Sequence, residues 1–152
     1  MKKLNQLLAD ITAIKVVGNA EVEITSVTND SREAKPGALF IAVKGVAVDA
    51  HKFIPQVVAA GAAAVVCEDL PENLNDTVTY IQVTDSTIAL AHLASVWYDH
   101  PSTKLRLVGV TGTNGKTTTA TLLYELTQSL GHKAGLLSTV KNMVDRTEYP
   151  AK

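Results

Sequence analysis

The sequence has little cysteine, few aromatic residues and almost no net charge. Cys67 is the one cysteine among 152 residues, which excludes an internal disulfide, and its apolar neighbours favour a small buried side chain over a reactive thiol. Aromatic residues make up 5% of the chain, and the formal net charge is −1. Because nucleic-acid binders need basic patches or stacking side chains, no nucleic-acid partner is expected.

Long apolar runs are also missing. No segment approaches the roughly 20 apolar residues of a membrane span. Asn5, Gln6 and Asp10 interrupt the apolar residues that follow the basic start, so the N-terminus is a poor secretory signal. We therefore expect a soluble cytoplasmic protein with no membrane partner. We also expect a monomer. Its 46% hydrophobic content is enough for one core or for two small lobes.

Helical and strand-like patterns alternate over the first hundred residues. The spacing predicts helices over 3–11, 51–62 and 86–100, and strands over 21–29, 38–45, 63–68 and 79–85. Asp85 or Ser86 is expected to cap the last of these helices. The polar segment 100–104, in which Pro101 ends the helix, is the predicted linker.

A second pattern begins after the linker. A strand over 105–110, a glycine-rich turn, a helix over 116–130 and a strand over 133–140 predict one β-α-β unit of a parallel sheet. One such unit cannot bury both faces of its sheet, so we expect the sequence to end inside a domain. The fold class is α/β, with domains over 1–100 and 101–152.

The turn "TGTNGKTTT" over 111–119 has the chemistry of a phosphate-binding loop. Gly112 and Gly115 permit positive φ and close approach of a ligand, and the first N–H groups of the next helix point outward toward an anion. Lys116 adds a positive charge, and the Thr117 hydroxyl suits Mg²⁺. The alternative is a glycine turn before an ordinary helix, with Lys116 in solvent.

This loop is shorter than the general nucleotide loop and resembles the ATP loop of the Mur ligases, enzymes that add amino acids to the peptidoglycan precursor. Residues 28–68 are similar to the UDP-binding domain of one branch, MurE, whose members add the third peptide residue. The resemblance spans nearly the whole chain. It implies a small N-terminal UDP-binding domain followed by the start of a P-loop central domain.

The resemblance implies an activity, substrates and cofactors. The parent would use ATP and Mg²⁺ to activate a carboxylate of UDP-N-acetylmuramoyl-L-alanyl-D-glutamate as an acyl phosphate, which the amine of diaminopimelate or lysine then attacks. Lys116 is the implied catalytic residue and Thr117 the metal ligand. The implied ATP-binding residues are Gly112, Thr113, Asn114, Gly115, Lys116, Thr117 and Thr118. The family's third domain is absent, so we expect a fragment that is inactive alone.

By position, the resemblance places uridine diphosphate at Asn29 and Ser31 and its uracil at Val46 and Ala47. Considered without the resemblance, 29–32 is better explained as a solvated polar turn, and Arg32 either binds a phosphate or forms an ion pair.

Other polar residues give weaker patterns. The four histidines lack metal-ligand spacing, which favours structural or surface roles. Ser138 and Thr139 follow a predicted strand, where a parallel sheet places ligands, but a plain turn explains them as well.

Two other functions stay open. One is a MurF-type ligase, which adds D-Ala-D-Ala. The other is a non-catalytic nucleotide-binding module, for which a uridine site would have no use.

Overall fold

The computed structural model describes residues 1–45 and 48–151, and the chain divides into two compact units, Met1–Leu105 and Arg106–Lys152. Val46, Ala47 and Lys152 lie outside the described residues. In the first unit the strands are β1 Lys2–Lys3, β2 Ala13–Val17, β3 Glu23–Ile24, β4 Ser26–Thr28, β5 Ala38–Ile41, β6 Ala64–Cys67 and β7 Thr79–Val83, and the helices are α1 Leu4–Leu7, α2 Ile54–Ala59 and α3 Ser86–Trp97.

A five-stranded sheet in the order β2-β7-β6-β5-β4 organises the first unit. β4, β5, β6 and β7 run parallel, whereas β2 pairs with β7 antiparallel. β1 and β3 form a separate antiparallel pair. The mixed α/β class predicted from the sequence is confirmed.

Two apolar clusters cover the two faces of this sheet. Side chains alternate along each central strand, so Leu39 and Ile41 enter the cluster under α1 and α3, while Phe40 enters the cluster under α2. Every side chain of β5 and β6 is buried. Strands covered on both faces are expected to be continuous apolar runs, and this is why they were recognisable in the sequence.

The sequence signals at the ends of two helices are present in the structure, although the bounds differ. The helix predicted over 51–62 is a 3₁₀ helix, Ala50–Phe53, followed by α2, and the helix predicted over 86–100 is α3, which ends at Trp97. The Asp85 carboxylate accepts hydrogen bonds from the Thr87 and Ile88 N–H groups and so caps α3. Pro55 lies in the first turn of α2, where no N–H donor is needed. A φ of +89° at Gly61 ends α2, a conformation that glycine adopts without strain.

Several predicted bounds in this unit were wrong. The helix predicted over 3–11 is only α1, preceded by β1. The strand predicted over 21–29 is divided into β3 and β4, because Thr25 leaves the strand and donates its N–H to the Gly37 carbonyl. β2 was missed because its side chains are exposed or half-buried and show no apolar alternation.

The second unit contains α4 Lys116–Ser129 and the strands β8 Gly135–Leu137, β9 Lys141–Val144 and β10 Thr147–Pro150. The three strands form an antiparallel sheet in the order β10-β9-β8. The Tyr124 hydroxyl donates to the Asp145 carbonyl, and Gln128 Nε2 donates to the Asp145 carboxylate at 3.0 Å, so α4 is held to the turn between β9 and β10.

The parallel β-α-β unit is only partly present. The helix and the strand after it form, but β8 pairs antiparallel with β9, and 105–110 pairs with no strand in the described part of the chain. A strand needs a hydrogen-bonded neighbour, and Leu107 and Val108 are 71% and 77% exposed. Among the described residues of this unit, Leu136 alone is fully buried.

Within the described residues, no helix is both long and apolar enough to cross a membrane.

We predict that the Cys67 thiol is unreactive in the folded protein. Burial raises the pKa of this thiol to about 11, so roughly a thousandth of it is thiolate at pH 8. Ellman's reagent should show no fast phase until guanidinium unfolds the chain. Rapid reaction of the native protein would contradict the burial of β6.

We also predict unequal hydrogen exchange. Amides of β5, β6 and β7 should exchange slowest, because they lie in a sheet covered on both faces, whereas 105–115 should exchange within seconds. Slow exchange over 105–110 would show that this segment has a partner strand.

Candidate functional site

The loop over 112–116 adopts the backbone that its glycines permit. Gly112 has a φ of +147° and Gly115 a φ of +76°, both in the region that side chains disfavour. No atom lies within 4 Å of the position that a Cβ would take at Gly115. Glycine is therefore required there by the backbone conformation and not by crowding.

Gly115 is also the N-cap of α4. Its carbonyl accepts the first helical hydrogen bond, from the Thr119 N–H at 2.9 Å. The N–H groups of Lys116, Thr117 and Thr118 precede that bond and have no helical acceptor. Together with the helix dipole they form a donor-rich surface suited to an anion.

The Lys116 side chain folds back over this loop. Its Nζ donates to the Gly112 carbonyl at 2.6 Å and lies 3.4 Å from the Thr113 carbonyl. An ammonium group has three donors, so it can turn from these carbonyls toward a bound phosphate. Lys116 is nevertheless exposed, so the alternative of a glycine turn before an ordinary helix, with Lys116 in solvent, stays open.

The remaining loop residues surround this lysine. Thr113, Asn114 and Thr118 are exposed, and Thr117 is half-buried in the first turn of α4. The structure thus brings all seven residues of the predicted ATP loop together.

Two of the predicted uridine residues, Asn29 and Ser31, lie at the carboxyl edge of the five-stranded sheet. Asn29 is exposed directly after β4, and Ser31 is half-buried in the next turn. Because β4 and β5 are parallel, the segment that follows β5 starts from this same edge. Val46 and Ala47 belong to that segment but lie outside the described residues.

Arg32 forms an ion pair instead of standing free at this edge. Its Nε and one terminal nitrogen donate to the two Asp30 carboxylate oxygens at 2.9 and 2.6 Å. The hydrogen bonds that the Arg32 guanidinium donates to the Asp30 carboxylate raise the pKa of Arg32. The structure therefore supports the ion-pair interpretation of Arg32, although its exposure limits the energy of this contact.

A polar network that sequence reasoning missed lies after β5 and β6 at the same edge. Glu68 Oε1 accepts hydrogen bonds from the Ser86 N–H at 2.9 Å and from the Ser86 hydroxyl at 2.7 Å. The Ser86 hydroxyl in turn accepts the Lys44 N–H at 3.1 Å. His51 Nε2 accepts the Glu68 N–H at 2.9 Å. These bonds join three loops that are distant in sequence.

Two carboxyl groups of this network have lowered pKa values. The side-chain and backbone hydrogen bonds from Ser86 lower the pKa of Glu68. The backbone and ring hydrogen bonds from His51 lower the pKa of Asp49. A carboxyl whose pKa is lower in the folded state stabilises the fold above its unfolded pKa. That contribution is complete at neutral pH and declines as the pH falls through the lowered value.

The network could have been anticipated in part. Glu68 directly follows a buried strand, and Ser86 follows another strand and the Asp85 cap. Because ligands and polar contacts gather where parallel strands end, these two positions were candidates for a polar network. His51 was assigned a structural or surface role because no metal-ligand spacing surrounds it.

Ser138 and Thr139 form a turn. The Ser138 hydroxyl donates to the Lys141 carbonyl at 2.7 Å, and it accepts the N–H groups of Val140 and Lys141. The strand that ends here is antiparallel to β9, so the parallel-edge argument does not apply. The plain-turn alternative is supported.

Two family models match this chain. The first, described as "Mur ligase family, catalytic domain", matches residues 23–98, and the second, "Mur ligase middle domain", matches residues 110–152.

Matches to individual relatives cover nearly the whole chain. A UDP-N-acetylmuramoyl-L-alanyl-D-glutamate–2,6-diaminopimelate ligase of Bacteroides fragilis is 49% identical over 99% of this chain and 31% of its own length. A ligase of the same name from Cytophaga hutchinsonii is 52% identical over 94% of this chain and 30% of its own length. This chain therefore spans less than a third of these curated relatives.

Two solved structures are also similar to this chain. A UDP-N-acetylmuramoyl-L-alanyl-D-glutamate–2,6-diaminopimelate ligase matches 99% of this chain and 30% of its own, with a TM-score of 0.72 at 24% identity, which shows the fold alone. A MurF ligase of Thermotoga maritima in complex with ADP matches 71% of this chain and 24% of its own, with a TM-score of 0.52 at 32% identity. Together with the two family models, these matches show that the chain belongs to the Mur ligase family.

Proposed function

We propose that this chain is the N-terminal part of an ATP-dependent ligase that adds 2,6-diaminopimelate to UDP-N-acetylmuramoyl-L-alanyl-D-glutamate. Residues 1–100 would bind the uridine diphosphate, and 101–152 would begin the ATP-binding domain. The observation that carries the proposal is the loop Gly112–Lys116, where two positive-φ glycines surround a lysine folded over the start of a helix. The substrate is inferred from the two diaminopimelate ligases to which the chain is similar.

The loop fits the phosphates of ATP. Backbone N–H groups at the start of α4 would bind phosphate oxygens, and Lys116 Nζ would exchange its loop carbonyls for a phosphate and so stabilise charge during transfer. The ADP bound to the Thermotoga maritima relative supports an adenine nucleotide here. Gly112, Thr113, Asn114 and Gly115 shape the loop, and Thr118 adds a further N–H.

We propose Mg²⁺ as a cofactor because one residue of the loop offers a suitable oxygen ligand. Thr117 offers a hydroxyl oxygen, a hard ligand of the kind that Mg²⁺ prefers, in the first turn of α4. A bound Mg²⁺ would neutralise charge on the transferring phosphate. Thr117 would hold and orient it beside the phosphate-binding backbone.

The reaction proposed for the complete enzyme has two steps. A substrate carboxylate oxygen attacks the γ-phosphorus of ATP, which forms an acyl phosphate and releases ADP. The amine of diaminopimelate then attacks the acyl carbon, which forms an amide and releases phosphate. Lys116 would act in the first step only. Because ATP and the UDP-linked substrate are cytoplasmic metabolites, we place the enzyme in the cytoplasm. We also propose that it is a monomer.

The uridine site is proposed at Asn29, Ser31, Val46 and Ala47. The exposed amide of Asn29 and the hydroxyl of Ser31 stand where a parallel sheet offers its loop ends to a ligand. Small side chains at 46 and 47 would let a flat base approach the backbone.

A MurF-type ligase is the second candidate, supported by the MurF structure matched at 32% identity. The diaminopimelate ligases match with higher identity and over more of the chain, at 49% and 52%. We therefore place diaminopimelate first.

Replacing Lys116 by Ala should abolish ligase activity in the full-length protein, because the loop loses its only charged side chain. Binding of the UDP-substrate should stay within twofold of wild type, since its site is proposed in residues 1–100. Phosphate release and calorimetric titration measure the two effects. Lys133→Ala, which removes an exposed lysine after α4, is the control. Loss of both activity and UDP-substrate binding would show that the sites are not separate.

Replacing Asn29 or Ser31 by Ala should weaken binding of UDP-N-acetylmuramoyl-dipeptide about 3- to 10-fold, the effect of one lost hydrogen bond of about 0.5–1.5 kcal/mol. Titration of the purified chain, with UMP and AMP as comparison ligands, measures this. Asn73→Ala, which removes an exposed asparagine after β6, should leave the affinity unchanged. Unchanged affinity in both Asn29 and Ser31 variants would remove the uridine site from this turn.

A further inference from the structure

The chain turns sharply just after α3, close to where the first unit ends at Leu105. Asp99 has a φ of +57° and His100 a φ of +51°. A residue with a side chain rarely takes this left-handed conformation, because its Cβ approaches the next carbonyl oxygen. Two such residues in succession persist only where neighbouring contacts hold them. The contacts of this turn therefore identify what maintains it.

Two backbone hydrogen bonds fold the turn onto the end of α3. The Asp99 N–H donates to the Val96 carbonyl at 3.2 Å, and the His100 N–H donates to the Ser95 carbonyl at 2.8 Å. This pair of bonds is a common helix ending, in which the first residue beyond the cap is left-handed. Glycine usually occupies that position, and here the residue is Asp99.

Two other helices of the chain end with the same pair of bonds and do use glycine. Gly61 follows α2 with a φ of +89°, and Gly131 follows α4 with a φ of +83°. In both cases the N–H groups of the glycine and of the next residue donate to carbonyls in the last turn of the helix. α3 therefore differs in placing a carboxylate where the backbone favours glycine.

Lys2, in β1, supplies the contact that offsets this strain. Its Nζ donates to Asp99 Oδ1 at 2.5 Å and to the Val96 carbonyl at 2.6 Å. The ammonium thus binds both the left-handed residue and the C-terminal end of α3, where the helix dipole favours positive charge. The hydrogen bond from Lys2 lowers the pKa of the Asp99 carboxyl. Because β1 pairs with β3, the lysine is itself fixed in the first unit.

The turn also sets the start of the segment that follows. The His100 carbonyl accepts the Thr103 N–H at 3.1 Å and the Thr103 hydroxyl at 2.7 Å. Ser95 Oγ and His100 Nδ1 lie 3.2 Å apart. The segment from α3 to Lys104 is therefore held by contacts within the first unit, and the left-handed pair sets its direction.

We propose that Lys2 is a positioning residue of the ligase, which holds Asp99 left-handed and so fixes the direction in which the chain leaves the first unit. The proposal rests on the function proposed above, in which a substrate bound by residues 1–100 must present its carboxylate to ATP bound at 112–118. Glycine at position 99 would adopt the same backbone but would leave it free to change. Asp99 instead ties the turn to β1. Lys2 itself would contact neither nucleotide.

Four substitutions separate this role from a general effect on stability. Lys2→Met removes the ammonium and keeps an unbranched apolar stem, whereas Lys2→Arg keeps a charged donor. Asp99→Gly removes both the strain and the carboxylate. Lys3→Met is the matched control, because Lys3 lies next to Lys2 in β1 and forms an exposed ion pair with Glu21 at 3.0 Å.

Hydrogen exchange of the purified chain measures whether Lys2 holds the turn. Lys2→Met should speed exchange of the His100 and Thr103 amides about tenfold and leave β5, β6 and β7 unchanged. Lys2→Arg and Lys3→Met should stay within threefold of wild type. When Lys2→Met is added to Asp99→Gly, these rates should change less than threefold, since no carboxylate remains for Lys2 to bind.

Steady-state kinetics of the full-length ligase measure whether the held turn matters for the reaction. Lys2→Met should lower kcat about tenfold, while KM for the UDP-substrate stays within twofold, because the proposed uridine residues are untouched. Lys2→Arg should keep kcat within threefold of wild type, and Lys3→Met should leave it unchanged. A merely structural role would lower stability without this split between kcat and KM.

Three outcomes would overturn the proposal. If Lys2→Met leaves exchange at His100 and Thr103 unchanged, Lys2 does not hold the turn. If exchange speeds up but kcat stays at the wild-type value, the positioning role fails while the proposed ligase function stands. If the wild-type ligase does not join diaminopimelate to the UDP-substrate, the proposed function fails, and this inference fails with it.

Discussion

Parallel pairing of β5, β6 and β7 is the constraint on which the rest of the first unit depends. Because the three strands run in one direction, their carboxyl ends lie at one edge of the sheet, and each must be followed by a loop at that edge. The loops that follow Ile41, Cys67 and Val83 therefore meet, although they are far apart in sequence. Buried side chains on both faces fix this arrangement.

The polar network at that edge follows from the same constraint. Backbone N–H groups at strand ends leave the ladder and need acceptors. His51 and Ser86 supply acceptors for the N–H groups of Glu68, Asp69 and Lys44. The loops are consequently joined to one another by side chains and do not depend on backbone pairing alone. An edge built in this way can present a ligand site of fixed shape.

Sequence patterns predicted the features that depend on a local residue type or on a strand that is buried on both faces. β5 and β6 are apolar runs, Asp85 directly precedes the apolar helical pattern of α3 and caps that helix, and Gly115 occupies a position with positive φ. The predictions that failed concern features that depend on partners distant in sequence. β2 has no apolar face, 105–110 has no neighbouring strand in the described residues, and the ring contacts of His51 join positions 17 and 18 residues away. The turn at Asp145, with a φ of +51°, makes the hairpin of β9 and β10, which the strand pattern alone did not indicate.

The central claim is that one chain carries a uridine diphosphate site at the edge of its parallel sheet and a separate phosphate loop before α4. Amide chemical-shift mapping of the isotopically labelled chain, titrated first with UDP and then with MgATP, tests it most directly. The account predicts that UDP shifts amides at Asn29, Ser31 and 44–51, and that MgATP shifts 112–118. Displacement of the same amides by both nucleotides, or a UDP response confined to 112–118, would contradict it.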